Sequence, residues 1–349
     1  MLKAEFKKYT LVFRNPAGTS RGILYNKNSW YIVVNELNKR GIGECSIIPM
    51  LSIDDKPDYE NKLKWLCENI NQDIQYLYNE LKDYPSIYFG LETAFQDLKS
   101  EKANILFPSN FTSGKDHIKI NGLIWMGDPD FMKQQIREKV NQNFSCIKLK
   151  IGSSKLEDEL EILKFIRFDL AENNIEIRLD ANGAFKPDKA LEKLKRYSEY
   201  NIHSIEQPIT KGYPTEMAEL CERSPIPIVL DEELIGISKY EEKEKILKDI
   251  KPQYIILKPS LLGGFNSCEE WIKLCRKNKT GWWITSALES NIGLNSIAQW
   301  TYTLNSEMPQ GLGTGKIYTN NIISPLELKG ENLFYNSSKN WDISDITNE

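Results

Sequence analysis

The sequence has few residues of the kinds that build zinc centres or disulfide frameworks. It contains two histidines in 349 residues, and its six cysteines are scattered without a C-x-x-C pair. Zinc sites and disulfide-stapled folds need clustered or closely spaced sets of these residues, so the sequence indicates neither. We expect the thiols to be reduced and mostly buried. The cysteines are Cys45, Cys67, Cys146, Cys221, Cys268 and Cys275.

The sequence also lacks an excess of basic residues and any long apolar run. The formal net charge of −4 provides no positive field for nucleic acid or anionic lipid. No segment approaches the ~20 apolar residues that a membrane-spanning helix needs. The beginning MLKAEFKKYTLVF lacks the apolar core and cleavage site of a signal peptide. These features predict a cytoplasmic protein that binds neither nucleic acid nor a membrane.

Two kinds of hydrophobic pattern divide the chain. Residues 1–112 begin with the strand patterns LVFRNPAGTSRGIL and WYIVV, predicted to turn at Gly41-Ile42-Gly43, and continue as helices. In residues 113–314, short apolar strands alternate with charged helical segments, which is typical of parallel βαβ units. The predicted strands are HIKI, SCIKLKI, IEIRLD, IHSIE, IPIVLD, QYIILK, GWWITS and PQGLG.

Eight strands over about two hundred residues predict an α/β fold with a TIM-type barrel, because such barrels typically span ~250 residues. An open doubly wound sheet is the structural alternative. The first segment is predicted to be an α+β capping domain. The tail, residues 315–349, has no further βα unit and is expected to complete that capping domain.

Four of the predicted strands end in a charged residue. Asp180, Glu206, Asp231 and Lys258 follow one another at intervals of 26, 25 and 27 residues, each about one βα unit. The C-terminal ends of barrel strands meet at one mouth, so these side chains are predicted to converge. Three carboxylates gathered there repel one another and lose hydration, costs that a bound cation removes. Oxygen ligands favour a hard ion, magnesium before manganese or calcium.

The preceding strand, CIKLKI, carries Lys148 and Lys150 two residues apart and therefore on one face. A parallel strand is buried on both sides, so two inward lysines in it indicate a function. A lysine beside other cations loses proton affinity and can serve as a base near neutral pH. Removing a proton beside a carboxylate yields an ene-diolate whose negative charge a metal ion offsets.

The K-x-K strand, the strand ends IRLDANG, IEQP and VLDE, and ILKPSLLGG together resemble the enolase superfamily in its muconate lactonizing subgroup. The piece GIGECSIIPMLS resembles that subgroup's loop over the active site. TSALESNIGL and QGLGTG resemble the o-succinylbenzoate synthase family, which are dehydratases of menaquinone synthesis. Dipeptide epimerases usually carry aspartate-x-aspartate at the eighth strand, and none stands between Gly311 and Gly315.

The resemblance implies a modified (β/α)7β barrel and a role for each charged strand-end residue. Asp180, Glu206 and Asp231 would bind Mg²⁺, with Mn²⁺ as an alternative, and Lys150 would remove the proton from a small-molecule carboxylate. Lys258 would place its charge over the substrate ring. Lys148 would support Lys150 and hold a carboxylate oxygen. Loss of the hydroxyl from the same face would complete a syn dehydration.

Further residues are expected to touch the substrate or support the site. Arg178 shares the strand face of Asp180, although an ion pair inside the barrel explains it equally well. Arg14 and Arg21 lie in a segment that resembles the mobile loop closing over substrate, where either could bind a second carboxylate. Glu232 is expected to lie behind the metal ligands. The other candidates are Asn182, Ser286, Ser290, Gly311 and Gly313.

Two other reactions and one noncatalytic role stay open. The same lysine pair would suit an N-succinylamino acid racemase or a dipeptide epimerase, and a barrel without catalysis could bind ligands. A dinucleotide is not indicated, because the glycines after Gly311 lack a strand-turn-helix setting. His117 and His203 lie at strand beginnings and are predicted to be structural. The sequence leaves the oligomeric state undetermined.

Overall fold

The first part of the protein is an antiparallel sheet covered by helices. The structure is a computed structural model that describes residues 1–19 and 22–347. The sheet has the order β1-β2-β3, and its buried face packs on α1 and α3 around a small core of its own. The elements are β1 (Lys3–Thr19), β2 (Gly22–Glu36), β3 (Lys39–Ser46), α1 (Tyr59–Glu68), α2 (Ile74–Glu80) and α3 (Pro85–Lys99).

The turn predicted at Gly41-Ile42-Gly43 is wrong, because these residues lie inside β3. The chain turns earlier, at Leu37, whose φ is 53°. The two glycines serve close packing: a Cβ on Gly41 would stand 2.0 Å from the Ala94 carbonyl oxygen, and one on Gly43 would stand 1.8 Å from that of Gly90. Helix α3 therefore touches the sheet backbone there, which only glycine permits.

Gly43→Ala is expected to destabilise the protein by about 3 kcal/mol, because its methyl group would overlap the backbone of α3. Gly18→Ala, in the same sheet, meets nothing nearer than 3.8 Å and is the matched control. Urea unfolding of both variants measures the difference. Equal midpoints for the two variants would contradict the close contact.

The second part is built on a curled parallel sheet. Among the described residues its order is β11-β10-β9-β8-β7-β6-β5, with neighbours in the sheet adjacent in the chain, so each strand is followed by a crossover to the next. Its strands are β5 (Gly122–Ile124), β6 (Cys146–Lys150), β7 (Glu176–Asp180), β8 (Ser204–Glu206), β9 (Ile228–Leu230), β10 (Tyr254–Leu257) and β11 (Gly281–Ile284). The helices are α4 (Pro129–Asn141), α5 (Leu156–Lys164), α6 (Pro187–Ser198), α7 (Pro214–Arg223), α8 (Tyr240–Ile250), α9 (Pro259–Leu262), α10 (Gly264–Asn278) and α11 (Asn291–Thr303).

The predicted first and last strands differ from the structure. HIKI forms β4 (His117–Lys119), which pairs antiparallel with the tail rather than with the parallel sheet. In PQGLG, Gln310 forms a parallel bridge with Ile120 and Gly311 forms one with Thr285. This short segment therefore lies between the residue that follows β11 and a residue just before β5.

The tail contacts both parts of the chain. Its hairpin, β12 (Leu326–Lys329) and β13 (Asn332–Tyr335), pairs with β4. Tyr318 bridges Phe13 of the first sheet, and Ile322 and Ile346 pack on strands β2 and β3.

The cysteines and the helices agree with the compositional expectations. All six cysteines are free, and burial raises the pKa of the Cys221 and Cys275 thiols to about 12. Such thiols stay protonated and unreactive. In the part of the chain that the structure describes, no helix is long and apolar enough to cross a membrane.

Buried Asp54 should make stability depend on pH. Burial raises the pKa of its carboxyl to about 6. Hydrogen bonds from the Ser86 amide at 2.8 Å and the Ser86 hydroxyl at 2.6 Å lower this pKa, but they do not offset the effect of burial. The folded state thus holds a proton that the unfolded state has released, so the free energy of unfolding falls as the pH rises from about 4 to 6. Asp54→Asn should remove this loss and be more stable than the wild type at pH 7.5, by up to ~3 kcal/mol.

Chemical unfolding of both proteins between pH 4 and 8 measures this effect. Ser86→Ala is the companion variant, because losing the hydroxyl donor should raise the pKa of Asp54 further and steepen the decline. A stability difference between Asp54→Asn and the wild type that stays constant with pH would disprove the titration.

Candidate active site

Three carboxylates lie at the C-terminal ends of consecutive parallel strands. Asp180 ends β7 opposite Glu206, which ends β8, and Asp231 follows β9 directly. Their exposed fractions are 1, 2 and 3%, so water does not hydrate them. The alignment follows from parallel pairing, which brings equivalent strand ends to one edge.

Three lysines contact these carboxylates. Lys148 Nζ lies 2.9 Å from Asp180 Oδ2 and also donates to Glu206. Lys150 Nζ lies 3.1 Å from the same Asp180 oxygen, because β6 pairs with β7 in a register that sets Lys150 opposite Asp180. From the far side, Lys258 donates to Asp231 and lies 3.8 Å from Glu206 Oε1. The predicted lysines and acids therefore form one buried cluster of alternating charge.

The charges in this cluster control one another's protonation. Burial would raise the pKa of Asp180, but the ammonium groups of Lys148 and Lys150 hold it well below its ordinary value. Burial and the nearby charge of Asp180 raise the pKa of Glu206. Burial would lower the pKa of Lys148, yet Asp180 and Glu206 raise it above the usual range. The nearest neighbours of Lys148 are anions, so they favour its charged form.

The three carboxylates have the chemistry of a metal site, although lysines contact them in this structure. Among the described residues, no three His, Cys, Asp or Glu side chains are arranged so that they could hold a metal ion together. The lysine ammonium groups contact the carboxylates instead. Glu206 Oε1 is buried and accepts no hydrogen bond from the described residues. Three buried carboxylates, one with an oxygen that accepts no hydrogen bond, are the donor set that a hard divalent cation prefers, so the residues fit Mg²⁺.

A layer of amides and acids orients the cluster. Asn182 accepts a 2.6 Å hydrogen bond from Lys150 and donates to Glu232 at 3.1 Å, so Glu232 lies behind the site as predicted. Gln207 was not among the predicted residues. Its buried amide oxygen accepts from the amides of Asp231 and Glu233, which fixes the end of β9. Its only sequence signal is its place beside Glu206 in IEQP.

The cluster opens into a cavity of about 550 Å³ between the first sheet and the strand ends. Ser286, Gly311 and Gly313 line it as predicted, and so does Arg14. Lys139 and Lys316 also line it, and nothing in their sequence positions identified them. The apolar part of the wall includes Phe13, Ile48, Leu51, Leu123, Trp125 and Leu288.

Two predicted contact residues, Arg178 and Ser290, do not line this cavity. Arg178 instead forms an ion pair with Glu176 at 2.8 Å inside the barrel, which is the alternative to substrate contact stated above. Its guanidinium lies over the Trp283 ring at 4.3 Å. Ser290 caps α11 and donates to Glu44 at 2.6 Å. Arg21 lies outside the described residues.

The chain is similar to known proteins over most of its length. The model of the family described as Enolase C-terminal domain-like matches residues 131–329. An o-succinylbenzoate synthase from Desulfotalea psychrophila is 42% identical over 94% of this chain and 98% of that protein. A hydrophobic dipeptide epimerase from a Flavobacteria bacterium is 25% identical over 66% of this chain and 68% of that protein.

Solved structures give the same relationships. The crystal structure of MenC from Desulfotalea psychrophila superimposes with a TM-score of 0.85 at 39% identity, covering 95% of this chain and 99% of that one. A dipeptide epimerase from Enterococcus faecalis, complexed with Mg and the dipeptide L-Leu-L-Tyr, has a TM-score of 0.81 at 17% identity, covering 96% of each chain. The latter likeness shows the shared fold alone.

Proposed function

This chain belongs to the enolase superfamily, and we propose on that premise that it is an o-succinylbenzoate synthase. The reaction is the syn dehydration of 2-succinyl-6-hydroxy-2,4-cyclohexadiene-1-carboxylate to o-succinylbenzoate. The observation that carries the proposal is the buried cluster of three strand-end carboxylates and three lysines facing one cavity. The 42% identity to a named o-succinylbenzoate synthase supports the choice of reaction.

We propose that Asp180, Glu206 and Asp231 hold Mg²⁺, with Mn²⁺ as the alternative. When bound, the cation supplies positive charge that offsets the charge developing on the substrate carboxylate. Two observations support this assignment: Glu206 Oε1 accepts no hydrogen bond from the described residues, and all three acids are buried.

The proton transfers fall to the chain's own lysines. Lys150, as the free amine, takes the proton from the ring carbon that bears the carboxylate, and the electron pair of that C–H bond passes into the carboxylate. Lys150 then returns the proton to the departing hydroxyl on the same face, so the C–O bond breaks and water leaves as the ring becomes aromatic. Asn182 and Asp180 orient the Lys150 amine, and Lys258 stabilises the dienolate from the opposite side.

The charge of the cavity favours a substrate with two carboxylates. Six basic side chains line it, and the three central lysines are balanced by the three buried acids. No ion pair with a described residue balances the other three, which are Arg14, Lys139 and Lys316. An excess of positive charge attracts a dianion and repels the free ammonium of a dipeptide. N-succinylamino acid racemisation stays the second candidate, since that substrate is also a dianion and lysines face the site from both sides.

Product identification tests the proposal. Purified protein with Mg²⁺ and the cyclohexadiene should form o-succinylbenzoate, and EDTA should stop turnover until Mg²⁺ is restored. The comparison substrates are an N-succinyl amino acid and a dipeptide, followed by deuterium exchange. A kcat/KM for either comparison substrate that exceeds that for the cyclohexadiene by orders of magnitude would overturn the assignment. Full activity after exhaustive chelation would exclude the metal role.

Finer features of the fold are part of the same proposal. We infer a closed (β/α)7β barrel in which Gln310 and Gly311 supply the eighth strand, supported by their bridges to Ile120, before β5, and to Thr285, after β11. We place the domain boundaries at residues 1–112 with 315–349 for the cap and 113–314 for the barrel, supported by the separate core of the first sheet. A cytoplasmic location stays a prediction.

A further inference from the structure

A leucine in the cavity wall has an unfavourable backbone conformation. Leu288 lies in the loop after β11 with φ of 60°, in the left-handed region that a residue with a Cβ rarely adopts. Such a conformation persists only where surrounding contacts impose it. The side chain lines the active-site cavity and packs against the small buried cluster that contains Phe13 and Tyr318. The unfavourable backbone thus places an apolar side chain against the substrate space.

Two side chains from outside the barrel hold the Leu288 carbonyl. Lys27 Nζ, on β2 of the cap, donates to the Leu288 oxygen at 2.9 Å, and Tyr318 Oη, in the tail, donates to it at 2.6 Å. Each side chain has an exposed fraction of 2%. If this carbonyl turned away, the Tyr318 hydroxyl would lose its acceptor and the Lys27 ammonium would keep only Ser46, which is costly inside a protein.

Buried carboxylates fix the loop on both sides of Leu288. Glu289 accepts from the Ala287 amide at 2.7 Å, and Glu44 of the cap accepts from the Ser290 amide at 2.9 Å. Both acids have an exposed fraction of 0%. Lys27 interacts electrostatically with both of them, so its charge compensates this pair. The cap therefore sets the path of a barrel loop through a buried cluster separate from the catalytic lysines.

We propose that Lys27 is a positioning residue that, with Tyr318, holds Leu288 in its left-handed conformation so that the leucine side chain forms the wall against the substrate ring. This inference rests on the proposed function, which supplies the ring. Lys27 does not line the cavity, so it acts through Leu288 and determines substrate affinity rather than proton transfer.

A double-mutant cycle tests the proposal, with kcat and KM for the cyclohexadiene and calorimetric Kd for o-succinylbenzoate as readouts. Leu288→Ala should raise KM and Kd ~10-fold or more, the effect of losing apolar contact in a pocket. Lys27→Met should raise both by a similar factor while kcat changes much less. In the Leu288→Ala background, Lys27→Met should add little, because the wall is already gone.

Lys243→Met is the matched control. Lys243 is another fully buried lysine, bound to Glu270 at 2.8 Å, and it has no contact with the loop after β11. Its loss removes an equally buried charge, so it should leave KM and Kd unchanged. If Lys27→Met does not fold, Tyr318→Phe, which removes one hydroxyl and no charge, takes its place in the cycle.

The outcomes separate this inference from the proposed function. Additive effects of the two substitutions, or an unchanged KM in both Lys27→Met and Tyr318→Phe, would overturn the positioning role while the wild type stays active. A wild type that neither turns over the cyclohexadiene nor binds o-succinylbenzoate would overturn the proposed function and this inference with it. A crystal structure of Lys27→Met should show Leu288 with a negative φ.

Discussion

Lys150→Ala is expected to lower kcat by ~10²–10⁴-fold, the usual contribution of a general base. We propose Lys150 as this base, and its amine is held by both a carboxylate and a neutral amide, Asp180 at 3.1 Å and Asn182 at 2.6 Å. Lys148 cannot replace it, because that ammonium is bound by Asp180 and Glu206 and its pKa is raised. The measurement is kcat with the cyclohexadiene, together with deuterium exchange at the ring carbon.

Control measurements on Lys150→Ala distinguish the loss of a base from the loss of the fold. The variant should keep the wild-type circular dichroism spectrum and its affinity for Mg²⁺, since the three acids remain. Adding a small primary amine such as methylamine should restore part of the turnover, because it can enter the space that the lysine side chain leaves. Turnover near the wild-type rate without added amine would remove Lys150 from the role of base.

The membership of the enolase superfamily that the sequence motifs predicted is confirmed. The alternating strands were predictable because β6 to β11 are short apolar runs in the period of a buried parallel sheet. The role of Gly41 and Gly43 could not be predicted, because glycine is favoured both in a turn and where a helix packs closely on a strand. Only the position of α3 distinguishes them.

The first predicted barrel strand, HIKI, was misread for a similar reason. HIKI has the same alternation whether its partner is parallel or antiparallel, and the partner β13 lies more than two hundred residues later in the chain. Pairing over such a distance leaves no local signal in the sequence. The sequence therefore does not indicate the partner of β4, which is identified by the position of the tail hairpin in the structure.

The charged part of the site was predictable and its apolar wall was not. Asp180, Glu206, Asp231 and Lys258 recur at one βα unit, so barrel geometry alone brings them together. Arg178 shares their strand face but lies two residues before the strand end, where Glu176 and Pro309 bind it. Leu288 and the two side chains that donate to its carbonyl come from three distant segments of the chain. Nothing in the sequence indicates that a leucine will adopt a positive φ.

The buried charges of the site also explain why the cluster is costly without its function. Three acids and three lysines out of water lose hydration that their mutual attraction only partly restores, so such clusters seldom add net stability. A catalytic task accounts for their presence better than a structural one. A metal ion on the acids would compete with Lys148 and Lys258 for the same oxygens. Mg²⁺ binding would therefore be coupled to the lysine contacts.

Asp180→Asn is expected to abolish measurable turnover and to weaken Mg²⁺ binding by at least ~10-fold, because one of three charges on a hard cation is lost. Glu176→Gln is the matched control: it lies on the same strand, at the end away from the site, and pairs with Arg178. Calorimetric titration with Mg²⁺ gives the affinities, and Mg²⁺ should raise the melting temperature of the control but not of Asp180→Asn. Wild-type Mg²⁺ affinity in Asp180→Asn would refute the metal assignment, whereas weakened binding in both variants would indicate a general loss of structure along β7.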